Sequence, residues 1–94
     1  MPVVGVLTLE IHVEHSQSLK DKRQVVRSLK DRLRERFNVS VAEVDYLDSW
    51  QHAAVSVATV ANDRVFAEKI LQAAESHAAD QLGGALIASG IEWL

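Results

Sequence analysis

The sequence predicts an α+β protein whose elements follow the order β-α-β-β-α-β. Residues 3–15 alternate apolar and polar side chains, which is typical of a half-buried strand. In residues 18–37 the apolar side chains recur every three or four positions, as on one face of a helix. Two further apolar runs, 39–44 and 52–60, are separated by a short polar segment, which indicates a β-hairpin. These observations place a helix between two strands in each half of the chain.

Length and composition exclude several classes of protein. Ninety-four residues with 48% apolar side chains predict one domain, residues 1–94, with a small core. The absence of cysteine excludes disulfides, thiol catalysis and thiolate metal sites. Glu10 and His12 interrupt the apolar N-terminal run, so we expect neither a signal peptide nor a membrane span. The sequence therefore favours a cytoplasmic protein that does not associate with membranes.

The first helix is predicted from Ser18 to Phe37. Ser18 suits the N-cap, and Asn38 suits a left-handed helix exit. Lys22 lies near the middle of the apolar stripe, so its side chain either extends past Leu19 to water or pairs with a carboxylate of another element; we favour the pair. The predicted apolar face consists of Leu19, Val26, Leu29, Leu33 and Phe37.

This helix also concentrates the basic residues of the chain. Residues 18–37 hold eight of the ten Lys and Arg side chains and carry about +5, whereas the remainder sums to about −8. Asp31 can reach Arg27 or Arg34 on the helix surface, but the basic residues nearest the helix start have no obvious partner. Either the stripe is a solvated face or it is a site for phosphates. The stripe, here called the basic ridge, consists of Lys20, Arg23, Arg27, Lys30 and Arg34.

The rest of the chain is predicted to form three more strands and a second helix, so each half contains a helix between two strands. A strand at 39–44 leads through a connection at 45–51 to a strand at 52–60, and a fourth strand covers 85–94. Asn62 and Asp63 open a second helix, which Gly83 and Gly84 close. The apolar face expected for that helix consists of Phe66, Ile70, Ala73, Ala74 and His77.

Right-handed crossovers place both helices on one face of an antiparallel sheet of strand order 4-1-3-2, the ferredoxin-like arrangement. The other face is then open, small, polar and mildly acidic. It has no aromatic side chain on its central strands, which argues against RNA bases stacking on the sheet. It suits homo-oligomerisation or simple solvation. Its expected residues are Thr8, Glu10, His12 and Glu14 beside His52, Ala54, Ser56 and Ala58.

Few side chains suggest catalysis. His12, Glu14 and His52, with His15 nearby, could form a metal site, but their spacing follows no known motif. The chain has no phosphate-binding glycine loop and no nucleophile elbow, so we predict no enzyme, cofactor or metal.

The connection between the second and third strands holds an acidic cluster and a tryptophan. These carboxylates could do general acid–base work or hold a cation. The favoured interpretation is structural: Glu43 pairs with a base of the first helix, while Asp45 and Asp48 shape the hairpin. Trp50 is expected to anchor the hairpin by packing against the third strand.

Three blocks of sequence are distinctive: SLKDKR at 18–23, RFNVSVAEVD at 36–45 and DSWQHAAVSVATVAND at 48–63. Together they resemble the YlxP-like family of small bacterial proteins of unknown function. The resemblance implies a ferredoxin-like fold and a genomic neighbourhood of transcription and translation factors. It supplies no catalytic residues. The residues that match its motifs, with roles unassigned, are Ser18, Lys20, Lys22, Arg23, Glu43, Asp48, Trp50 and Gln51.

Three functional hypotheses follow. The leading one is a non-enzymatic accessory factor in ribosome maturation or translation, whose basic ridge contacts ribosomal RNA or the small ribosomal subunit. The second is a protein–protein interaction module that forms a homodimer through the open sheet face and docks an acidic partner. The third is a metal-dependent enzyme that uses His12, Glu14 and His52.

Overall fold

The computed structural model describes residues 1–94, which form four strands and two helices. The strands are β1 (Val3–His12), β2 (Ser40–Asp45), β3 (His52–Ala61) and β4 (Leu86–Trp93). The helices are α1 (Leu19–Arg36) and α2 (Arg64–Leu82), and a short 3-10 turn, Gly83–Ala85, connects α2 to β4. The element order therefore matches the prediction, with boundaries shifted by at most three residues.

The strands form one antiparallel sheet in the order β2-β3-β1-β4, which confirms the predicted arrangement. In the central pair, β1 and β3, Val3 lies opposite Ala61 and His12 lies opposite His52. Odd-numbered residues of both strands face the helices and even-numbered residues face away, because side chains alternate along a strand. The burial pattern of β1 follows this alternation.

The hydrophobic core lies between the sheet and the two helices. β1 contributes Leu7, Leu9 and Ile11, all fully buried. Leu29 and Leu33 of α1 pack against this layer and are also fully buried. The remaining members of the core cluster are Val26, Val41, Ala53, Val55, Val57, Leu71, Ala74 and Ala78.

Helix α1 begins as predicted and ends differently. The Ser18 side chain accepts a hydrogen bond from the Asp21 amide, which satisfies one free N–H group of the first turn. At the other end, Phe37 takes an extended conformation, and its amide donates to Leu33. The predicted left-handed exit at Asn38 is wrong, because only Tyr46 and Gly83 have positive φ angles.

The predicted apolar face of α2 is displaced by about one residue. The helix buries Ala67, Leu71, Ala74 and Ala78, whereas Phe66 is 56% exposed. Alanine side chains bring the helix axis close to the sheet, so the large Phe66 ring is left outside at the helix start. His77, a member of the expected apolar face, is half-buried beside Phe37, and its Nε2 atom has no hydrogen-bond partner.

Strand β4 closes the sheet against β1 at a glycine. Gly5 lies opposite Trp93, whose ring covers it on the helix side of the sheet. A Cβ atom at Gly5 would lie 2.7 Å from the Trp93 ring and 2.8 Å from Leu71, so a glycine is needed at this position. Neither helix is both long enough and apolar enough to cross a membrane.

Candidate nucleic-acid interface

The start of α1 is built around a fully buried lysine. Lys22 Nζ donates to the carbonyl oxygens of Tyr46, at 2.8 Å, and His52, at 3.1 Å. The same Nζ lies 3.0 Å from Oε2 of Glu43 on β2. Two carbonyls and a carboxylate therefore surround the ammonium and replace its water shell. The expected pair between Lys22 and a carboxylate of another element is present, and Glu43 is the partner.

Two loops meet beside this ammonium, and polar contacts join them. Gln51 Nε2 donates to the carbonyl oxygens of Glu14, at 3.1 Å, and Ser16, at 3.2 Å. The buried Ser16 hydroxyl lies within hydrogen-bond distance of the carbonyl oxygens of Trp50 and Ser18. The loop between β1 and α1 is therefore fixed to the loop between β2 and β3.

The loop between β2 and β3 exposes its apolar side chains. Trp50 is 59% exposed and Leu47 is 54% exposed. The prediction that Trp50 is a packing anchor is wrong. The hydrogen bonds of Ser16, Lys22 and Gln51 hold the backbone of this loop, so no hydrophobic anchor is needed and the indole extends into solvent.

The basic ridge lies along the outer flank of α1, next to the edge strand β2. Arg34 shows this placement, since its Nη2 atom donates to the Val41 carbonyl at 2.9 Å. On the opposite flank, Ser28 meets Gln81 of α2. The ridge side chains are exposed except for Lys30, which is half-buried.

The ridge is not neutralised by the fold. The structure contains one Lys or Arg ion pair, Lys22 with Glu43, and one His–carboxylate contact, in which His52 Nε2 lies 4.0 Å from Glu10 Oε1; neither involves a ridge residue. The contacts expected between Asp31 and Arg27 or Arg34 are absent. Lys20, Arg23, Arg27 and Lys30 also make no side-chain hydrogen bond to the protein, so their charges face solvent.

The open sheet face is more apolar than the sequence predicted. The Tyr46 ring folds over its edge and stacks on His52 at 4.0 Å between centroids. Ala54, expected to be exposed, is only 5% accessible. Val44 and Val60, both of strands in this sheet, are 52% and 62% exposed.

The Tyr46 hydroxyl lies 3.4 Å from Oε1 of Glu10. The Glu10 carboxylate raises the pKa of this phenol above its ordinary value, and partial burial and the nearby Asp45 carboxylate act in the same direction. Asp45 also accepts a hydrogen bond from the Tyr46 amide at 2.8 Å, which agrees with its expected role in shaping the hairpin. Asp48 is exposed in the same loop.

The side chains considered for a metal site do not come together as one. The His12 and His52 rings meet edge to face, 6.3 Å apart, and His52 Nε2 lies 4.0 Å from Glu10 rather than beside Glu14. No group of three or more His, Asp or Glu side chains is arranged to hold a metal ion.

Sequence reasoning identified Lys22, Glu43 and Gln51 but missed Ser16 and the backbone carbonyls that complete the network. A serine in a polar loop carries no signal of burial, because its role depends on where the partner loop lies. The carbonyl groups have no sequence signature at all.

Comparisons with known proteins agree with this fold and with the family resemblance. The family model described as a protein of unknown function, DUF503, matches residues 4–90. The uncharacterized protein YlxP of Bacillus subtilis (strain 168) is 37% identical over 70 residues, which cover 74% of this chain and 76% of that protein.

Solved structures share the fold at low sequence identity. The de novo designed protein Foldit4 aligns with a TM-score of 0.62 and 13% identity, over 100% of this chain and 97% of its own. A dimeric ferredoxin-like protein of unknown function from Thermobifida fusca aligns with a TM-score of 0.52 and 11% identity, over 97% and 90% of the two chains. These likenesses concern the fold alone.

Proposed function

We propose that this chain, which belongs to the DUF503 family of proteins of unknown function, is a non-enzymatic accessory factor that binds RNA or a ribonucleoprotein through its basic ridge. Ribosome maturation or translation is the process in which we place it. The observation that carries the proposal is the row of five ridge residues without an ion pair, four of them also without a side-chain hydrogen bond, on a chain of net charge −3.

Geometry supports contact with a phosphate backbone. From Lys20 to Lys30 the ridge extends about 15 Å along α1, at a rise of about 1.5 Å per residue. Its long side chains reach outward from one flank, so several phosphates of one strand can be contacted at once. Acidic residues dominate the rest of the chain, so a nucleic acid approaching from another side is repelled.

Salt dependence gives the first quantitative test. Four phosphate contacts, from Lys20, Arg23, Arg27 and Lys30, imply a slope of about −2.8 to −3.6 in a plot of log affinity against log salt. Arg34 is left out of this count because its guanidinium already binds Val41. A slope near zero would contradict phosphate binding by the ridge.

The functional test is co-sedimentation with small ribosomal subunits and their assembly precursors, from low to moderate salt. A ridge variant with Arg23, Arg27 and Lys30 changed to Glu should lose binding. A matched control changes Arg32, Arg36 and Lys69 to Glu, which gives the same change in charge on other surfaces. Equal loss of binding by both variants would show that net charge, and not the ridge, controls association.

The open sheet face supports a second candidate function, a module that associates with a second copy of itself. Its exposed Val44 and Val60 give that face apolar area that a monomer leaves in water. The oligomeric state distinguishes this candidate, and a self-associating protein can still carry the ridge on its outer side.

A further inference from the structure

We propose that Trp50 stacks on an unpaired nucleobase of the RNA whose phosphates the basic ridge holds. This inference rests on the proposed function and specifies the class of RNA, a single strand or a loop. It assigns a role to the exposed indole, which the fold itself does not use.

The fold holds the loop of Trp50 without burying its side chain. Lys22 binds the carbonyl oxygens of Tyr46 and His52. The Ser16 hydroxyl binds the carbonyl oxygen of Trp50, and the Val13 amide donates to that of Gln51. These contacts fix the backbone on both sides of the tryptophan. The Ser49 hydroxyl adds a hydrogen bond from the His52 amide at 3.0 Å. Only the two side-chain torsions of the indole remain free, so little conformational entropy is lost when it stacks.

The same contacts place the backbone of Trp50 beside the start of α1, where the basic ridge begins. Ser16 binds the Trp50 carbonyl and lies two residues before the helix N-cap, Ser18. Lys22, which binds the loop, stands between Lys20 and Arg23 on the first turns of α1. Asp48 adds one negative charge within the loop, so we expect the phosphates to lie on the α1 side of the indole.

An exposed indole in a loop that is bound to the start of a basic helix is suited to a nucleotide. A ring stacks on any base because every base has a π face, while Lys and Arg bind the adjacent phosphates. In an RNA duplex the bases are stacked on each other and are not available to the indole. The arrangement therefore favours an unpaired base, and it gives affinity without reading sequence.

The test compares two probes, a uridine strand of about 12 nucleotides and an RNA duplex of similar length, at low salt. The ridge predicts salt-sensitive binding of both probes, and Trp50 adds a preference for the strand. Trp50→Ala should weaken binding of the strand by about fivefold or more and leave binding of the duplex unchanged. Trp50→Phe, which keeps an aromatic ring, should retain most of the affinity for the strand.

Tryptophan fluorescence supplies a readout at the residue itself. The chain has two tryptophans, so the Trp50→Phe variant reports Trp93 alone. Emission of the native protein should be quenched by the uridine strand, and the variant should show little quenching.

Each outcome supports or overturns the inference. If Trp50→Ala binds the strand as tightly as the native protein does, the stacking role is wrong while binding through the ridge stands, and the exposed indole is left for a protein partner. If the native protein binds neither probe, both the stacking role and the proposed function are overturned.

Discussion

At the scale of single residues, the buried ammonium of Lys22 determines how the site is held. Its carbonyl and carboxylate partners come from β2, β3 and the loop between them, so one side chain joins α1 to three other segments. Removal of one member of a buried ion pair leaves the other charge without compensation, which is more costly than the loss of a single hydrogen bond.

We expect Lys22→Met to lower the free energy of unfolding by about 3–5 kcal/mol, because it leaves Glu43 and two carbonyl groups buried without a donor. Glu43→Gln should cost less, about 1–3 kcal/mol, since the carbonyl partners of Lys22 remain. Lys20→Met is the matched control, because this exposed lysine lies only two positions away, and its effect should stay within about 0.5 kcal/mol. Urea unfolding of the three variants measures these differences, and a large effect of Lys20→Met would contradict the assignment.

The only tyrosine of the chain provides a second test at this scale. Because the Glu10 carboxylate raises the pKa of Tyr46, phenolate absorbance should appear with a midpoint above about 10. Glu10→Gln should move that midpoint back toward about 10.

The sign of the stability effect follows from the same shift. Because the pKa of Tyr46 is raised in the folded chain, the unfolded chain releases the phenolic proton at lower pH than the folded chain does. The contribution of Tyr46 to stability is therefore complete below a pH of about 10 and is lost as the pH rises further. Unfolding measured across this range should show a smaller loss in Tyr46→Phe than in the native protein. A midpoint at or below about 10 in the native protein would contradict the described environment.

At the scale of elements, two glycines of the sheet have different surroundings, so an alanine at each distinguishes the effect of side-chain packing from the effect on the backbone. Gly5 lies under the Trp93 ring on the helix side, whereas Gly90 on β4 has open space where a side chain would stand. We expect Gly5→Ala to cost about 1–3 kcal/mol through overpacking, and Gly90→Ala to change stability little. Thermal unfolding of both variants tests this, and equal effects would show that the contact with Trp93 is not limiting.

The pattern of side chains predicted elements well because it repeats along the chain. Alternation in β1 and β3 and the apolar stripe of α1 each follow a backbone period, so the bounds and faces could be read from sequence. Helix α2 lacks such contrast, since alanines occur on all of its sides. Which face of α2 is buried therefore depends on how closely the helix approaches the sheet. The sequence favours burial of the larger Phe66, whereas the structure buries Ala67.

The candidate site was less predictable than the fold. Lys22 stood out because a charge interrupts an apolar stripe, and its pairing could be inferred from that conflict. Trp50 could not be placed, because its exposure depends on hydrogen bonds from Ser16, Lys22 and Gln51 that fix the loop without it. Long-range polar contacts of this kind leave no periodic pattern.

At the scale of the whole molecule, two surfaces have different characters. The flank of α1 beside β2 is basic, and the open sheet face is apolar at several positions. We expect light scattering to detect self-association through the open face, and Gly90→Arg to abolish it, because a long charged side chain there prevents close approach of a second sheet. Ala54→Arg is unsuitable for this test because Ala54 is buried within the monomer.

Gln72→Arg, which adds the same charge on the exposed side of α2, is the control for Gly90→Arg. The native protein remaining monomeric at high concentration would contradict association through the open face, and it would leave the ridge as the only candidate interface.

Because Lys22 is buried, its chemical modification shows whether the site is closed or open. Of the four lysines, Lys20 and Lys69 are exposed and Lys30 is half-buried, whereas Lys22 is fully buried. An amine-selective acylating reagent should therefore modify the others in the native protein and reach Lys22 only when the two loops separate. Mass spectrometry of the acylated peptides then follows opening of the site directly, in mixtures where spectroscopy of so small a chain is not practical.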